Sequence, residues 1–265
     1  MWTIVTREHP ELPEDVRPPE LPRIMRMAWG RLPEGTRGPR RGLTVEKVVE
    51  AAIAVADEEG LAALSMSRVA KRLGFTTMSL YRYVDSKDDL LELMMDAVPG
   101  SPPDIGPEVG WREGLRQWAM AYLARILEHV WFVDLPIKSA PLGPSSMRWL
   151  ECALRMLGPT GLPAPQKIDM VSSLSLYVFS RARVLRDLRD GTEVDYPALL
   201  SQVLDRGEFP AIYEAIEEGA WDGPELDSSD PADPDWEEHD LMFGLDRMLD
   251  GYEVFVERWR DEGTD

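Results

Sequence analysis

Residues 76–87 read TTMSLYRYVDSK and follow a Leu-Gly pair. On a helix, successive residues are turned by about 100°, so Leu80 and Val84 lie on one side and are the two residues suited to burial. The opposite side carries hydroxyl groups, two tyrosines and Arg82, where a solvated helix normally carries Glu, Lys and Gln. Hydroxyls and amphipathic rings donate to phosphate oxygens and contact base edges, so this side is suited to a DNA groove.

The residues around this segment complete a helix-turn-helix pattern. Ser67 is placed to cap a short helix with an apolar side, and Gly74 stops that helix. Residues 86–89, SKDD, form a capping box for the next helix. Two helices joined by a tight glycine turn place the second helix in the major groove. From the residues alone one alternative stays open, a helical hairpin whose aromatic side chains pack against another domain.

The distribution of charge is uneven. The 265-residue chain has a net charge of −19, which opposes non-specific DNA binding. Residues 1–98 hold 14 basic and 16 acidic residues, whereas the remainder holds 15 and 32. Between residues 65 and 87 five basic residues face one acidic residue. This segment is either a local phosphate-binding surface or a solvated face.

Helical patterns account for most of the remaining chain, and the sequence shows no β pattern and no repeat. Residues 1–42, rich in Pro and Arg, predict a partly flexible extension with a short helix near 21–30. Residues 99–110 are rich in Pro and Gly and mark a domain boundary, and residues 220–235 predict a mobile loop. The other expected helices cover 44–60, 111–129, 145–157, 166–189, parts of 195–206 and 208–219, and 236–260.

The last helix carries a narrow apolar line with the 3.5-residue spacing of helix–helix packing. Its members are Leu241, Leu245, Met248, Tyr252, Phe255 and Trp259. Met242, Leu249 and Val256 form a second line beside it, and the helix at 166–189 is also apolar on more than one side. A helix that is apolar on two sides is either central in its own domain or shared with a partner.

Several classes of protein are disfavoured. No signal-peptide pattern or membrane-spanning stretch is present, and the single cysteine, Cys152, forms no internal disulfide, which together predict a cytoplasmic protein without a membrane partner. The sequence has no nucleophile motif, phosphate loop or HExxH, so we expect no catalytic residues and no cofactor. The three histidines are too dispersed for a metal site, although His239 lies among acids that suit either a weak cation site or a solvated helix N-terminus.

Residues 43–98 resemble the DNA-binding domain of the TetR family of transcriptional regulators, through VAKRLGF, SLYRYVDSKDDLL and their order. Residues 244–256, GLDRMLDGYEVFV, are similar to the last dimerisation helix of many members. Residues 19–30, PELPRIMRMAWG, are similar to an N-terminal extension of actinobacterial members. The resemblance implies an all-α fold with an N-terminal extension (1–42), a three-helix helix-turn-helix domain (43–98) and a larger helical ligand-binding and dimerisation domain (111–262).

The resemblance also implies roles for individual residues. Thr77, Met78 and Ser79 match positions that read base edges, and Thr76, at the N-terminal end of this helix, is expected to contact DNA as well. Tyr81, Tyr83 and Lys87 match positions that contact the DNA backbone. Thr44 and Ser67, at helix N-termini, are expected phosphate contacts, and Arg40 and Arg41 are expected to reach the minor groove. Arg82 either reaches DNA or pairs with Asp85.

The implied function is a homodimer that represses transcription by binding a palindromic DNA operator and responds to a small-molecule effector of unknown identity. The expected dimer interface is the apolar line of the last helix. The expected pocket is lined by aromatic and soft side chains, and for each of them the alternative is an ordinary place in the core: Trp118, Tyr122, Trp149, Met170 and Tyr177. The alternative is a helical interaction protein that keeps the fold without binding an operator.

Overall fold

The computed structural model describes residues 23–31, 43–136, 142–189, 196–220 and 236–262, and within these ranges it contains helices and no strand. The all-α prediction is confirmed. The α-helices are α1 (Arg23–Ala28), α2 (Val45–Glu59), α3 (Met66–Leu73), α4 (Thr77–Leu80), α5 (Lys87–Ala97), α6 (Trp111–Glu128), α7 (Pro144–Met156), α8 (Ala164–Arg189), α9 (Tyr196–Val203), α10 (Pro210–Glu217) and α11 (Trp236–Glu262).

Helices α2 to α5 form a small unit around a shared apolar core. As predicted, the Thr44 hydroxyl caps α2 by accepting from the Lys47 amide (3.3 Å), and Ser86 caps α5 by accepting from the Asp89 amide (3.0 Å). These caps satisfy amides that the first helical turn leaves free. The core of the unit consists of side chains that are almost fully buried, among them Val48, Ala52, Val69, Leu80, Val84, Leu90 and Met94.

Helices α6, α7, α8 and α11 build the larger unit. Helix α6 packs against α7, α8 and α11, and α8 packs against α7 and α11. Three short 3-10 turns that the sequence pattern did not indicate lie at Leu61–Ala63, Val130–Asp134 and Gly158–Thr160. The core of this unit includes Leu115, Ile126, Leu174, Leu245 and Leu249.

Two carboxylates of the small unit bind the larger unit. Asp57, near the end of α2, accepts from Trp131 Nε1 (2.6 Å) and contacts His129 Nδ1 (2.8 Å). Asp96, near the end of α5, accepts from the amides of Ser145 (3.2 Å) and Ser146 (2.9 Å) at the start of α7. Both joints therefore connect helices of the helix-turn-helix unit to elements of the larger domain.

Two expectations about helix boundaries are wrong. Helix α3 begins at Met66 and is capped by Ser65, whose hydroxyl accepts from the Arg68 amide (3.2 Å), so Ser67 lies inside the first turn. Helix α4 ends at Leu80, and residues 81–83 continue as a hydrogen-bonded turn. Both the Tyr83 and Val84 amides donate to the Leu80 carbonyl, which tightens the chain and ends the regular helix. Two expectations fall on residues outside the described ranges. These are the roles of Arg40 and Arg41, and the loop expected at 220–235, of which only residue 220 is described.

Candidate DNA-binding surface and effector site

The turn between α3 and α4 has the geometry that its glycine predicts. Gly74 adopts φ 73° and ψ 26°, a left-handed conformation that side chains disfavour. The following amide, of Phe75, donates to the Ala70 carbonyl (2.9 Å) and closes the end of α3. Phe75 is 40 % exposed at this turn. It was not among the surface residues predicted from the sequence, although it directly follows the turn glycine Gly74. The turn directs α4 away from α3.

Helix α4 is held by two buried anchors and presents the opposite side to solvent. Leu80 and Val84 are fully buried, as their spacing predicted. Met78 is 74 % exposed and Tyr81 is 43 % exposed, so both present large apolar groups outward. Thr76 caps the helix by accepting from the Ser79 amide (3.3 Å). The outward side thus combines apolar contact area with hydroxyl groups.

The remaining residues expected at this surface differ in accessibility. Thr77 and Ser79 are half-buried, and the Ser79 hydroxyl lies 2.9 Å from that of Thr76. Tyr83 is also half-buried and packs against the core of the unit, so its ring contributes to the fold as well as to the surface. Lys87 is exposed at the first turn of α5.

Only part of the local basic charge faces outward. Arg72 forms two hydrogen bonds of 2.6 Å with Glu58, and Arg68 donates to Glu59 (3.0 Å), so both cations bind α3 to α2. The hydrogen bonds from Arg72 lower the pKa of Glu58, and the same contact raises the pKa of Arg72. Lys71, Arg82 and Lys87 are exposed, and no carboxylate among the described residues pairs with them. The phosphate-facing charge is therefore smaller than the five residues suggested.

The alternative pairing of Arg82 with Asp85 is not formed. Asp85 pairs instead with Arg23 of α1. Thr44 is exposed at the N-terminus of α2, where a phosphate oxygen can approach. Ser67 is exposed too, but its hydroxyl lies 3.1 Å from that of Ser65, which provides the actual cap of α3.

Three of the five expected pocket residues form an aromatic cluster between α6 and α7. The ring centroids of Trp118 and Tyr122 lie 5.4 Å apart, those of Trp118 and Trp149 5.5 Å, and those of Tyr122 and Trp149 5.1 Å. Trp118 Nε1 donates to the Trp149 carbonyl (3.0 Å). Trp149 Nε1 donates to the carbonyls of Pro99 and Gly100 (both 3.2 Å), just after α5.

Tyr122 is the titratable member of this aromatic cluster. Burial among apolar groups raises the pKa of Tyr122 to about 12, because removing water disfavours the phenolate. Trp118 and Trp149 are 2 % and 3 % exposed and Tyr122 is half-buried, so the cluster is largely shielded from water and carries one phenol. Such a region suits an apolar, planar ligand with few polar groups.

The other two expected pocket residues are engaged by α11. Tyr177 donates from its hydroxyl to the Leu241 carbonyl (2.8 Å), and it occupies the space beside Gly244. Tyr252 of α11 donates to the Met170 carbonyl (2.9 Å). Met170 and Tyr177 thus contribute to the packing of α8 on α11, and their place in an effector pocket stays a prediction.

A separate cleft of about 350 Å³ lies between the two units, bordered by the end of α2, the 3-10 turn Val130–Asp134 and α8. Its charged side chains are already paired, since Asp57 binds Trp131 and Arg186 binds both Asp134 and Asp187 (2.6 Å each). No group of metal-ligating side chains occurs among the described residues, and none of the described helices has the length and apolarity needed to cross a membrane.

Comparison with known proteins agrees with this geometry. Residues 48–94 match the family described as "Bacterial regulatory proteins, tetR family", and residues 102–256 match "Tetracyclin repressor-like, C-terminal domain". The HTH-type transcriptional repressor DrrR1 of Streptomyces coeruleorubidus is 37 % identical over 250 residues, which cover 92 % of this chain and 90 % of the relative. The chain belongs to the TetR family.

Solved structures of the same fold include ActR from Streptomyces coelicolor in complex with actinorhodin. It matches with a TM-score of 0.67 and 26 % identity over 81 % of this chain and 99 % of ActR. An HTH-type transcriptional regulator of Saccharopolyspora erythraea is 32 % identical over 69 % of this chain and 81 % of its own length. The present TetR-family protein is accordingly a DNA-binding transcriptional regulator of the repressor type, in a family that binds operators as dimers and responds to ligands.

The apolar line of α11 in this TetR-family chain is partly internal. Leu241 is 2 % exposed and Leu245 is fully buried, so both side chains pack within the single chain, and their contact with a partner stays a prediction. A 3.5-residue spacing drifts by about 20° per heptad on a helix of 3.6 residues per turn. Along α11 the apolar line therefore turns from the buried side of the helix toward solvent. Leu241 is buried, Met248 is half-buried and Phe255 is 39 % exposed. Tyr252 and Trp259 are half-buried between these limits.

The outer sides of α8 and α11 expose a second set of large apolar side chains. On α8 these are Ile168 (38 %), Leu176 (63 %) and Val184 (39 %). On α11, Phe243 is 60 % exposed and Val254 46 % exposed. We call Leu176 of α8 together with Phe243 and Val254 of α11 the outer α8–α11 face, since each lies on the side of its helix opposite the buried residues. Exposed apolar groups of this size on paired helices indicate a protein–protein contact.

Proposed function

We propose that the protein represses transcription as a homodimer that places α4 of each protomer in the major groove of a palindromic operator. The observation that carries this proposal is the outward side of α4, where Met78 and Tyr81 are exposed above two fully buried anchors. Met78 contacts base methyl groups, Thr77 and Ser79 exchange hydrogen bonds with base edges, and Tyr81 contacts the backbone. Tyr83 orients the turn beneath them.

The basic residues around α4 are proposed to have two different roles, helix packing and phosphate binding. Arg68 and Arg72 hold α3 on α2 and leave Lys71, Arg82 and Lys87 for phosphates. A few phosphate contacts give moderate, salt-dependent affinity, and the acidic remainder of the chain opposes binding elsewhere on DNA. Arg40 and Arg41, which precede α2, are proposed to add minor-groove contacts.

The dimer is proposed to form through the outer α8–α11 face, extended by Met248, Tyr252 and Trp259 at its edge. This face spaces the two recognition units, which must lie about one DNA turn apart, or roughly 34–36 Å, to read both half-sites. The protein is proposed to act in the cytoplasm as a regulator without catalytic activity.

The effector is proposed to be a planar, largely apolar aromatic compound that inserts beside Trp118, Tyr122 and Trp149. Ring faces stack on planar ligands, and the Tyr122 phenol supplies one hydrogen-bonding group in a dry region. ActR, of the same fold, has been crystallised with actinorhodin and with (S)-DNPA. An effector shifts the dimer only by its different affinities for the operator-bound and released arrangements.

The test is fluorescence anisotropy with labelled DNA fragments flanking the gene, at several salt concentrations. Wild-type protein is expected to bind a palindromic fragment with affinity that falls steeply as salt rises. Thr77→Ala combined with Tyr81→Ala is expected to weaken binding by roughly 100-fold, because each base or backbone contact contributes about 1–3 kcal/mol. Val203→Ala, at an exposed residue of α9, is the control and should bind as wild type.

Two results would contradict the proposal. Unchanged operator affinity in the folded double variant would remove α4 from the interface. A wild-type dimer that binds no flanking fragment at low salt would favour the alternative, an interaction protein that keeps this fold without an operator. Addition of actinorhodin to the bound complex tests the effector class, since a compatible planar compound should lower operator affinity.

A further inference from the structure

Helix α1 lies outside the residues that match the two family descriptions, 48–94 and 102–256, yet it is packed onto the described fold. Met27 is 8 % exposed and belongs to the core, and Ile24 and Ala28 pack against that core. The helix contacts α5, the last helix of the DNA-binding unit. It therefore has a defined place, and its role is not explained by operator reading or by effector binding.

The two ends of α1 contact two different functional regions. At its start, Arg23 pairs with Asp85, which lies between the recognition turn and the Ser86 cap of α5. Just past its end, Trp29 Nε1 donates to the Leu142 carbonyl (3.0 Å), two residues before α7 begins. One short helix thus connects the DNA-binding surface with the start of α7.

The start of α7 is also the place where the DNA-binding unit is hydrogen-bonded directly to the larger domain. Asp96 of α5 accepts from the Ser145 and Ser146 amides and from the Ser146 hydroxyl (2.9 Å). The conformation at Gly143 leaves room for this contact, because a side chain there would collide with the Asp96 carboxylate. One turn further along α7, Trp149 belongs to the aromatic cluster. A displacement of Trp149 by a ligand would therefore move the segment that α1 and Asp96 hold.

We propose that α1 is a coupling strap, which transmits movements of the start of α7 to the recognition turn through Trp29, the buried Met27 and Arg23. This inference rests on the proposed function, since it specifies how the effector domain regulates operator binding. Displacement of α7 shifts Leu142, and α1 carries the shift to Asp85 at the end of the recognition turn.

The contacts of the strap suit a regulatory element. Arg23 and Asp85 are both substantially exposed, and exposed ion pairs contribute little to folding. Removing the pair and the Trp29 hydrogen bond should consequently leave the fold intact while it interrupts the connection. Coupling between two sites is reciprocal, so operator binding must in turn change the start of α7. This reciprocity allows a test without a known effector.

The experiment is hydrogen–deuterium exchange of the full chain, with and without the palindromic fragment identified by anisotropy, followed at the peptide covering residues 142–149. In wild type, operator binding is expected to change the exchange rate of this peptide by roughly 5-fold. In Arg23→Met combined with Trp29→Phe, the change is expected to fall to less than about half of this, with operator affinity in the absence of ligand within about 3-fold of wild type. Arg26→Met removes a charge from an exposed position on the same helix and should behave as wild type.

The outcomes separate the strap from the proposed function. Loss of the response in the double variant but not in Arg26→Met supports the strap. A full response in the folded double variant overturns it, and so does an operator-bound wild type whose 142–149 peptide does not change. Failure of wild type to bind any flanking fragment overturns the proposed function, and the strap with it. A double variant that is unfolded by circular dichroism would show that α1 is a structural brace and would overturn the strap as well.

Discussion

The side of α4 that faces solvent and the outer α8–α11 face both expose large apolar side chains, but their neighbours differ. Around Met78, 74 % exposed, lie hydroxyl groups and the cations Arg82 and Lys87. Leu176 and Phe243, 63 % and 60 % exposed, lie on α8 and α11, where Val254 is exposed as well and the Arg247 guanidinium lies over the Phe243 ring, 5.4 Å from its centroid. Exposed apolar area marks a contact surface, and the surrounding polar chemistry decides between DNA and protein as the partner.

The largest expected effect comes from placing charges on the outer α8–α11 face. Leu176→Glu with Phe243→Glu should raise the Kd of the dimer by roughly 100-fold or more, because an unpaired carboxylate buried in an interface costs several kcal/mol. Sedimentation velocity across a concentration series measures the change. Leu199→Glu on α9, where Leu199 is 50 % exposed, is the matched control and should remain dimeric. An unaltered dimer in the double variant would show that this face has another partner.

The inner side of α11 should respond in a different way. Leu245 is fully buried within its own chain, so Leu245→Ala creates a cavity and should lower the free energy of unfolding by about 2–5 kcal/mol. Urea denaturation at fixed protein concentration measures this loss, and sedimentation of the folded variant should still show the dimer. If Leu245→Ala instead gave stable, folded monomers, Leu245 would belong to the interface that the sequence pattern predicted.

At α4, too, an exposed residue and a buried residue should respond differently to substitution. Met78→Ala should weaken operator binding by about 5- to 10-fold, as expected for the loss of one apolar base contact, and should change the free energy of unfolding by less than about 0.5 kcal/mol. Leu80→Ala, two residues away, should destabilise the folded chain by about 2–5 kcal/mol because Leu80 is fully buried. Anisotropy and urea denaturation of both variants separate the two effects. Equal losses of stability would show that Met78 is part of the core.

Local signals predicted the helix-turn-helix well. The glycine turn at Gly74, the Ser86 cap and the burial of Leu80 and Val84 follow from neighbouring residues, and the structure has all of them. The cap of α3 was misplaced because Ser65 and Ser67 both have the right chemistry, and only the backbone conformation at Ser65 distinguishes them. A local sequence pattern therefore predicts a helix cap correctly when just one nearby residue has the chemistry of a cap.

Contacts between distant residues were beyond the sequence pattern. Arg72 finds Glu58 across the α2–α3 packing, and Asp85 finds Arg23 of α1, so the free and paired cations could not be separated before the helices were placed. The inner and outer sides of α11 are both apolar, and their periodicity is nearly the same. Only the position of α8 decides that Leu241 is internal and Phe255 is external.

The smallest expected effect concerns the aromatic cluster and its dependence on pH. The pKa of Tyr122 is raised from 10.0 to about 12 by burial, so the folded chain keeps the phenol protonated after the unfolded chain has lost its proton. The stabilisation from this tyrosine is complete below the unfolded pKa and is lost as pH rises from about 10 through about 12. Between about pH 9 and about pH 11, wild type should therefore lose about 1 kcal/mol more stability than Tyr122→Phe, which has no proton to release.

Urea denaturation of both proteins at several alkaline pH values measures this difference, and phenolate absorbance of the folded chains follows the ionisation directly. The other tyrosines, including Tyr252, whose pKa burial also raises, are common to both proteins and cancel in the comparison. Parallel loss of stability in wild type and Tyr122→Phe would mean that water reaches the phenol. The cluster would then be an open surface like α4, and a planar apolar effector would have no dry site between α6 and α7 to enter.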